Sequence, residues 1–151
     1  SSSAKRKFGG GVILDCSHEI DLVRWMIGDV KIYKVFKSKI SKLRIQTEDN
    51  CKVFAKNKNS NIIIDLSYYS FLKKRKILIS GNNFYLDADL ISAKIIIFKK
   101  NKKILKIFHK NEIQESYLKE LDALINNKNQ NLTSYNSALS TQKLIQKIQK
   151  F

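Results

Sequence analysis

Between residues 30 and 109 this chain is a series of strand-like runs joined by connections too short to link one strand to the next in parallel. Runs rich in Ile, Val, Phe and Tyr over 31–42, 46–57, 61–71, 75–81, 83–87, 92–99 and 103–109 read as strands. The breaks KNKNSN, SGNN and KKNKK are short and made of residues that favour turns. A parallel pair needs a crossover of about a dozen residues or more. Such short connections favour antiparallel meanders, each strand running back along the one before it.

Helical periodicity flanks this block. Over 10–28, Val12, Leu14, Leu22, Trp25 and Met26 recur at helical spacing, and Gly28 stands where a helix ends. Gly9, Gly10 and Gly11 allow a tight turn, or a close approach to another surface, just before it. A second pattern covers 113–127, with Tyr117, Leu118, Leu121, Leu124 and Ile125 on one face. A third covers 134–149, with Ala138, Leu139, Leu144, Ile145 and Ile148. Helix, many strands, then two helices predicts an α+β fold: a large, mostly antiparallel open sheet with helices on one face. With 43% hydrophobic residues in 151, the expectation is a single domain over 1–151 with its own core.

Two strands are apolar on both faces. In NIIIDLSYYSF one alternation gives Ile62, Ile64, Leu66 and Tyr68, the other Ile63, Asp65, Ser67, Tyr69 and Phe71. In AKIIIFKK, Ile95 and Ile97 oppose Ile96 and Phe98. Helices on one face would leave the second exposed, which marks an interface, so a homo-oligomer is expected.

The formal charge of +16 raises nucleic acid as a partner. The excess is nearly all Lys; Arg6, Arg24, Arg44 and Arg75 are the four arginines. Arg is favoured for bidentate phosphate and base recognition, and the lysines are spread along the whole chain. A solvated Lys surface is the expectation, and nucleic acid is not the expected partner. No run of 18 apolar residues exists, so no membrane span is expected. The opening SSSAKRKF reads as a truncated end, with no signal peptide in view. Cys16 and Cys51 lack a CxxC spacing and fit a reducing cytoplasm.

The chemistry concentrates in GGGVILDCSHEIDLVRWMIGD. On a continuous helix Asp15 and His18 share a face, with Asp21 and Trp25 near the same line. A carboxylate one turn from an imidazole favours its protonated form and holds the ring in one orientation. That arrangement suits a general acid/base. A packed or capped histidine is the plainer reading of the same residues, and Asp21 with Arg24 reads equally as a surface pair. A metal site would want further His or Cys ligands, and only the distant His109 remains; no metal is expected.

The same block resembles the segment that opens the C-terminal domain in the glucose–fructose oxidoreductase/inositol dehydrogenase/rhizopine catabolism (Gfo/Idh/MocA) family. TEDNCKVFAKNKNSNIIIDLSYYSF resembles a strand pair of that family, RKILISGNNFYLDAD a later strand unit, and YLKELDALINNKNQNLTSYNSALSTQKLIQKIQKF its closing helices. The resemblance covers nearly all of the chain in order. It implies the substrate-binding and acid/base half of an NAD(P)-dependent oxidoreductase acting on a sugar or nucleotide sugar. Carried over by position, His18 is the acid/base, Asp15 orients substrate or His18, and Ser17 joins them in binding substrate. The family's Rossmann domain, with GxGxxG and a Glu-Lys-Pro segment, is not in this sequence. NAD or NADP would be bound there and no cofactor is expected on this chain, which alone is expected to be inactive. Many family members place three residues between the aspartate and the histidine, whereas here only Cys16 and Ser17 intervene. The D-x-S-H-E form resembles a subgroup found with surface-polysaccharide biosynthesis. The alternative from another class is a non-catalytic basic α+β module that binds nucleic acid or a protein partner.

Overall fold

Strict alternation in NIIIDLS places Ile62, Ile64 and Leu66 on one side of a strand and Asn61, Ile63, Asp65 and Ser67 on the other. The inward side needs a cover, and in this computed structural model three helices supply it. Residues 5–100, 102–108, 113–126, 128 and 132–151 are described. The chain forms two compact units. One comprises the chain up to Tyr69 together with Thr133–Phe151, the other Ser70–Leu132.

In the first unit, α1 (Val12–Asp15) and α2 (Ser17–Ile27) precede strands β1 (Lys31–Ser38), β2 (Asn50–Lys56) and β3 (Asn61–Ser67); α4 (Tyr135–Lys150) closes it. The strands pair antiparallel in the order β1-β2-β3. Register sets Val35, Val53 and Ile64 in one row, with a bulge between Ile32 and Lys34. α1 touches β2 and β3, α4 touches β1, and α2 packs on α4. Val12, Ile13, Ile20, Cys51, Val53, Ala55, Ile62, Ile64, Leu66, Leu144, Ile145 and Ile148 form the core. Ser134 caps α4 by accepting the Ser137 N–H, and Lys147 and Lys150 in the last turn complement the helix dipole.

The second unit holds an antiparallel meander, β4 (Lys76–Gly81), β5 (Phe84–Asp89), β6 (Lys94–Lys99) and β7 (Lys102–Ile107), and α3 (Ile113–Ile125). Positive φ at Ala93 and Lys100 turns the chain between neighbouring strands. Asp89 supports the first of these turns by accepting the N–H groups of Ile91 at 2.9 Å and Ser92 at 3.1 Å.

The α+β class and the antiparallel pairing agree with expectation, with the hydrogen-bonded ladders divided into sheets of three and four strands. The two-faced strands also appear as expected. Tyr33, Phe36 and Ile63 are exposed in the first unit, and Leu78, Tyr85, Phe98, Leu105 and Ile107 in the second.

Three expectations are corrected. The helix over 10–28 is two helices: Cys16, at φ −97° and ψ 25°, interrupts it. That break resets the helical phase. Ile20 is buried and Val23 and Ile27 pack on the core, whereas Trp25 is 82% exposed and Met26 also faces water. The first two strands are shorter than expected, because 39–49 is a connection organised by buried Asp49. Its carboxylate accepts the N–H groups of Ile40 and Ser41, each at 2.9 Å, and the Ser41 hydroxyl. The strand expected to reach 109 ends at Ile107. His109 lies outside the described residues.

Candidate active site

The glycines come first in the local logic. Gly11, at φ +121° and ψ 151°, occupies backbone space that is essentially reserved for glycine. A Cβ there would stand 2.3 Å from the Glu48 Oε1 atom. Val12 N–H donates to the Glu48 carbonyl at 3.2 Å, and Ile13 N–H reaches the Glu48 carboxylate at 3.5 Å. The glycines thus bring the start of α1 against the segment that enters β2. Glu48 and Asp49, side by side, anchor two different pieces of backbone.

Asp15 ends α1 and is exposed. Its Oδ2 accepts the Tyr68 hydroxyl at 2.6 Å. Burial raises the Tyr68 phenol well above its ordinary range, and the hydrogen bond to Asp15 and that carboxylate's charge raise it further. Tyr68 therefore stays protonated and donates. Ser17 opens α2 and is half-buried. His18 follows, with 59% of its side chain exposed, and its Nε2 lies 3.2 Å from Glu19 Oε1. Among the described residues no hydrogen bond or ion pair joins Asp15 to His18. The break at Cys16 removes the continuous helix on which the two would have shared a face.

Asp21 has a different task. Its Oδ1 accepts the Thr141 hydroxyl of α4. Arg24 donates to that same Thr141 oxygen at 2.7 Å and to the Ser137 carbonyl at 3.0 Å. The outer edge of the Arg24 guanidinium pairs with Asp29 at 3.0 Å. Asp21 and Arg24 thus dock α2 on α4 through Thr141, and their alternative as a plain surface pair is replaced by this shared partner.

Sequence reasoning passed over Tyr68, Glu19 and Glu48 as site residues. The signal for Tyr68 was present: it continues the inward alternation of Ile62, Ile64 and Leu66 with a polar tip. Among the described residues, no three His, Cys, Asp or Glu side chains gather as a metal site. No described helix is long and apolar enough to cross a membrane.

No family model matches the sequence, and comparison with curated proteins gives no match. Solved structures do match the fold. A UDP-N-acetylglucosamine 3-dehydrogenase from Acidithiobacillus ferrooxidans superposes with a TM-score of 0.69 at 13% identity, over 91% of this chain and 45% of that one. A dehydrogenase from Clostridium difficile gives 0.71 at 19% identity, over 92% and 47%. The WlbA dehydrogenase from Bordetella pertussis, solved with NADH and UDP-GlcNAcA, gives 0.65 at 17% identity, over 97% and 44%. This chain therefore spans less than half the length of these proteins. It has the fold of one part of Gfo/Idh/MocA-type dehydrogenases, as the resemblance implied.

Proposed function

We propose that this chain is the substrate-binding and acid/base half of an NAD(P)-dependent oxidoreductase acting on a sugar or nucleotide sugar. The observation that carries this reading is the contrast along one segment. Asp21 and Arg24 are used up in docking α2, whereas Asp15 and His18, at the helix break, remain open to solvent. The fold shared with dehydrogenases supplies the class.

In this reading His18 removes the proton from a substrate hydroxyl as the carbon is oxidised, and returns it in the reverse direction. Glu19, beside Nε2, steadies the imidazole and offsets its charge while the proton is held. Asp15 and Ser17 hold neighbouring hydroxyls. Nicotinamide, when bound by a separate Rossmann domain, supplies the hydride acceptor. This chain alone is then inactive, surface-polysaccharide biosynthesis is the setting the sequence resemblance favours, and the two free cysteines fit a reducing cytoplasm. The outward apolar faces of the two sheets support a homo-oligomer. The rival reading, a basic module for nucleic acid or a partner, has no use for the open His18–Asp15 segment.

The test is a screen of sugars and UDP-sugars against the full-length protein with NAD or NADP, read as nicotinamide absorbance. Oxidation or reduction coupled to one sugar class is expected. No absorbance change with any sugar or nucleotide sugar would contradict the proposal.

A further inference from the structure

We infer that Tyr68 is a positioning residue for the sugar: it holds Asp15 through Oδ2 and leaves Oδ1 aimed as an acceptor for a substrate hydroxyl. The inference rests on the proposed oxidoreductase reading.

The geometry gives three reasons. Tyr68 reaches Asp15 from 53 residues away in sequence. Asp15 ends a helix of one turn, which by itself would leave its side chain free to rotate. Tyr68 is not free: its ring packs on the core, and its N–H donates to the Asp49 carbonyl at 2.9 Å. Asp49 is itself fully buried and clamped by Ile40 and Ser41. The carboxylate of an exposed residue is thus referenced to the core of the sheet.

The second reason is the use of lone pairs. Among the described residues Oδ2 has the phenol as partner and Oδ1 has none. An ionised carboxylate only accepts hydrogen bonds. The free oxygen can take an O–H or N–H from a ligand, and a sugar hydroxyl is such a donor. The third reason is the separation from His18. Because Tyr68 rather than His18 holds Asp15, the aspartate is available to the substrate, and the imidazole has Glu19 beside it.

A group held in one orientation loses less freedom when it binds, and a misplaced polar group costs rate as well as affinity. Removing the phenol oxygen should therefore act on the sugar and leave the cofactor alone. In the full-length protein, Tyr68→Phe is expected to lower kcat/KM for the sugar about tenfold. The KM for the nicotinamide cofactor and the melting temperature should stay near those of the parent. Asp15→Asn should lower kcat/KM at least as much, and Tyr68→Phe added to it should cause little further loss, since the two act as one unit.

Three outcomes overturn the inference. If His18→Ala and Asp15→Asn lose activity and Tyr68→Phe stays within twofold of the parent, this inference falls and the oxidoreductase reading stands. If the losses of Tyr68→Phe and Asp15→Asn multiply, or Tyr68→Phe lowers the melting temperature and raises the cofactor KM together, the role is structural. If all three variants turn over like the parent, the site and the inference fall together.

Discussion

Gly11 faces the Glu48 carboxylate so closely that a Cβ on Gly11 would lie 2.3 Å from Oε1 and 2.8 Å from the carboxyl carbon, and the Glu48 side chain would have to move aside. The glycine run that opens the most distinctive stretch of sequence is therefore an intramolecular device. It seats α1 on the segment leading into β2 and so fixes where Asp15 and Ser17 stand.

Gly11→Ala should destabilise the protein more than Gly28→Ala. Both positions have backbone angles suited to glycine, which cost of the order of 1–3 kcal/mol for another residue. Only at Gly11 would a Cβ also push the Glu48 carboxylate away from the Ile13 N–H; a Cβ on Gly28 would meet nothing within 4 Å. Thermal or urea unfolding of the two variants checks the order.

Thr141→Val should cost about 1–3 kcal/mol, because it leaves both Asp21 and Arg24 without the oxygen they share. The isosteric side chain keeps the packing of α4, so the loss isolates the polar contact. Equilibrium urea unfolding measures it, and the wild-type midpoint in the variant would contradict the docking role.

The legibility of this chain divides along a physical line. Short polar breaks and strand-like runs were enough to foresee antiparallel pairing, and Ile62, Ile64 and Leu66 announce their buried side by simple alternation. Trp25 misled because helical spacing from Val12 assumes an unbroken helix, and Cys16 interrupts it. The 39–49 connection misled for a similar reason. Its β-prone residues are bent by one buried carboxylate, Asp49, whose partners are backbone groups invisible to composition. Asp15 and His18 were legible as chemistry. Their partners Tyr68 and Glu19 were not, since a pairing across two elements, or a choice between neighbouring carboxylates, needs coordinates.

Asp49 should make stability depend on acid pH. Burial pushes its carboxyl up, but the Ser41 hydroxyl and the N–H groups of Ile40 and Ser41 outweigh it and hold the group below its ordinary range. A folded value below the unfolded one stabilises the fold above the ordinary carboxylate range. That contribution is lost as pH falls through the lower, folded value. Asp49→Asn should flatten the loss of urea stability on acidification; the wild-type slope retained in the variant would assign the acid sensitivity elsewhere.

Cys51 should be chemically silent in the native protein. Burial pushes its thiol up to about 11, with the Glu48 carboxylate adding to the effect, and it lies fully inside the core. A maleimide reagent at pH 8 should modify no more than one thiol, at Cys16, before unfolding and both after it. Rapid labelling of Cys51 in the folded protein would show that β2 opens readily.

If His18 moves the proton during oxidation of a sugar hydroxyl, hydride transfer depends on its imidazole. Single-turnover hydride transfer in the full-length protein tests it, with His18→Ala compared against the parent at saturating cofactor. Transfer is expected to slow by about 10²–10⁴-fold, while the nicotinamide cofactor binds within a few-fold of the parent. Hydride transfer at the parent rate in His18→Ala would remove His18 from the chemistry.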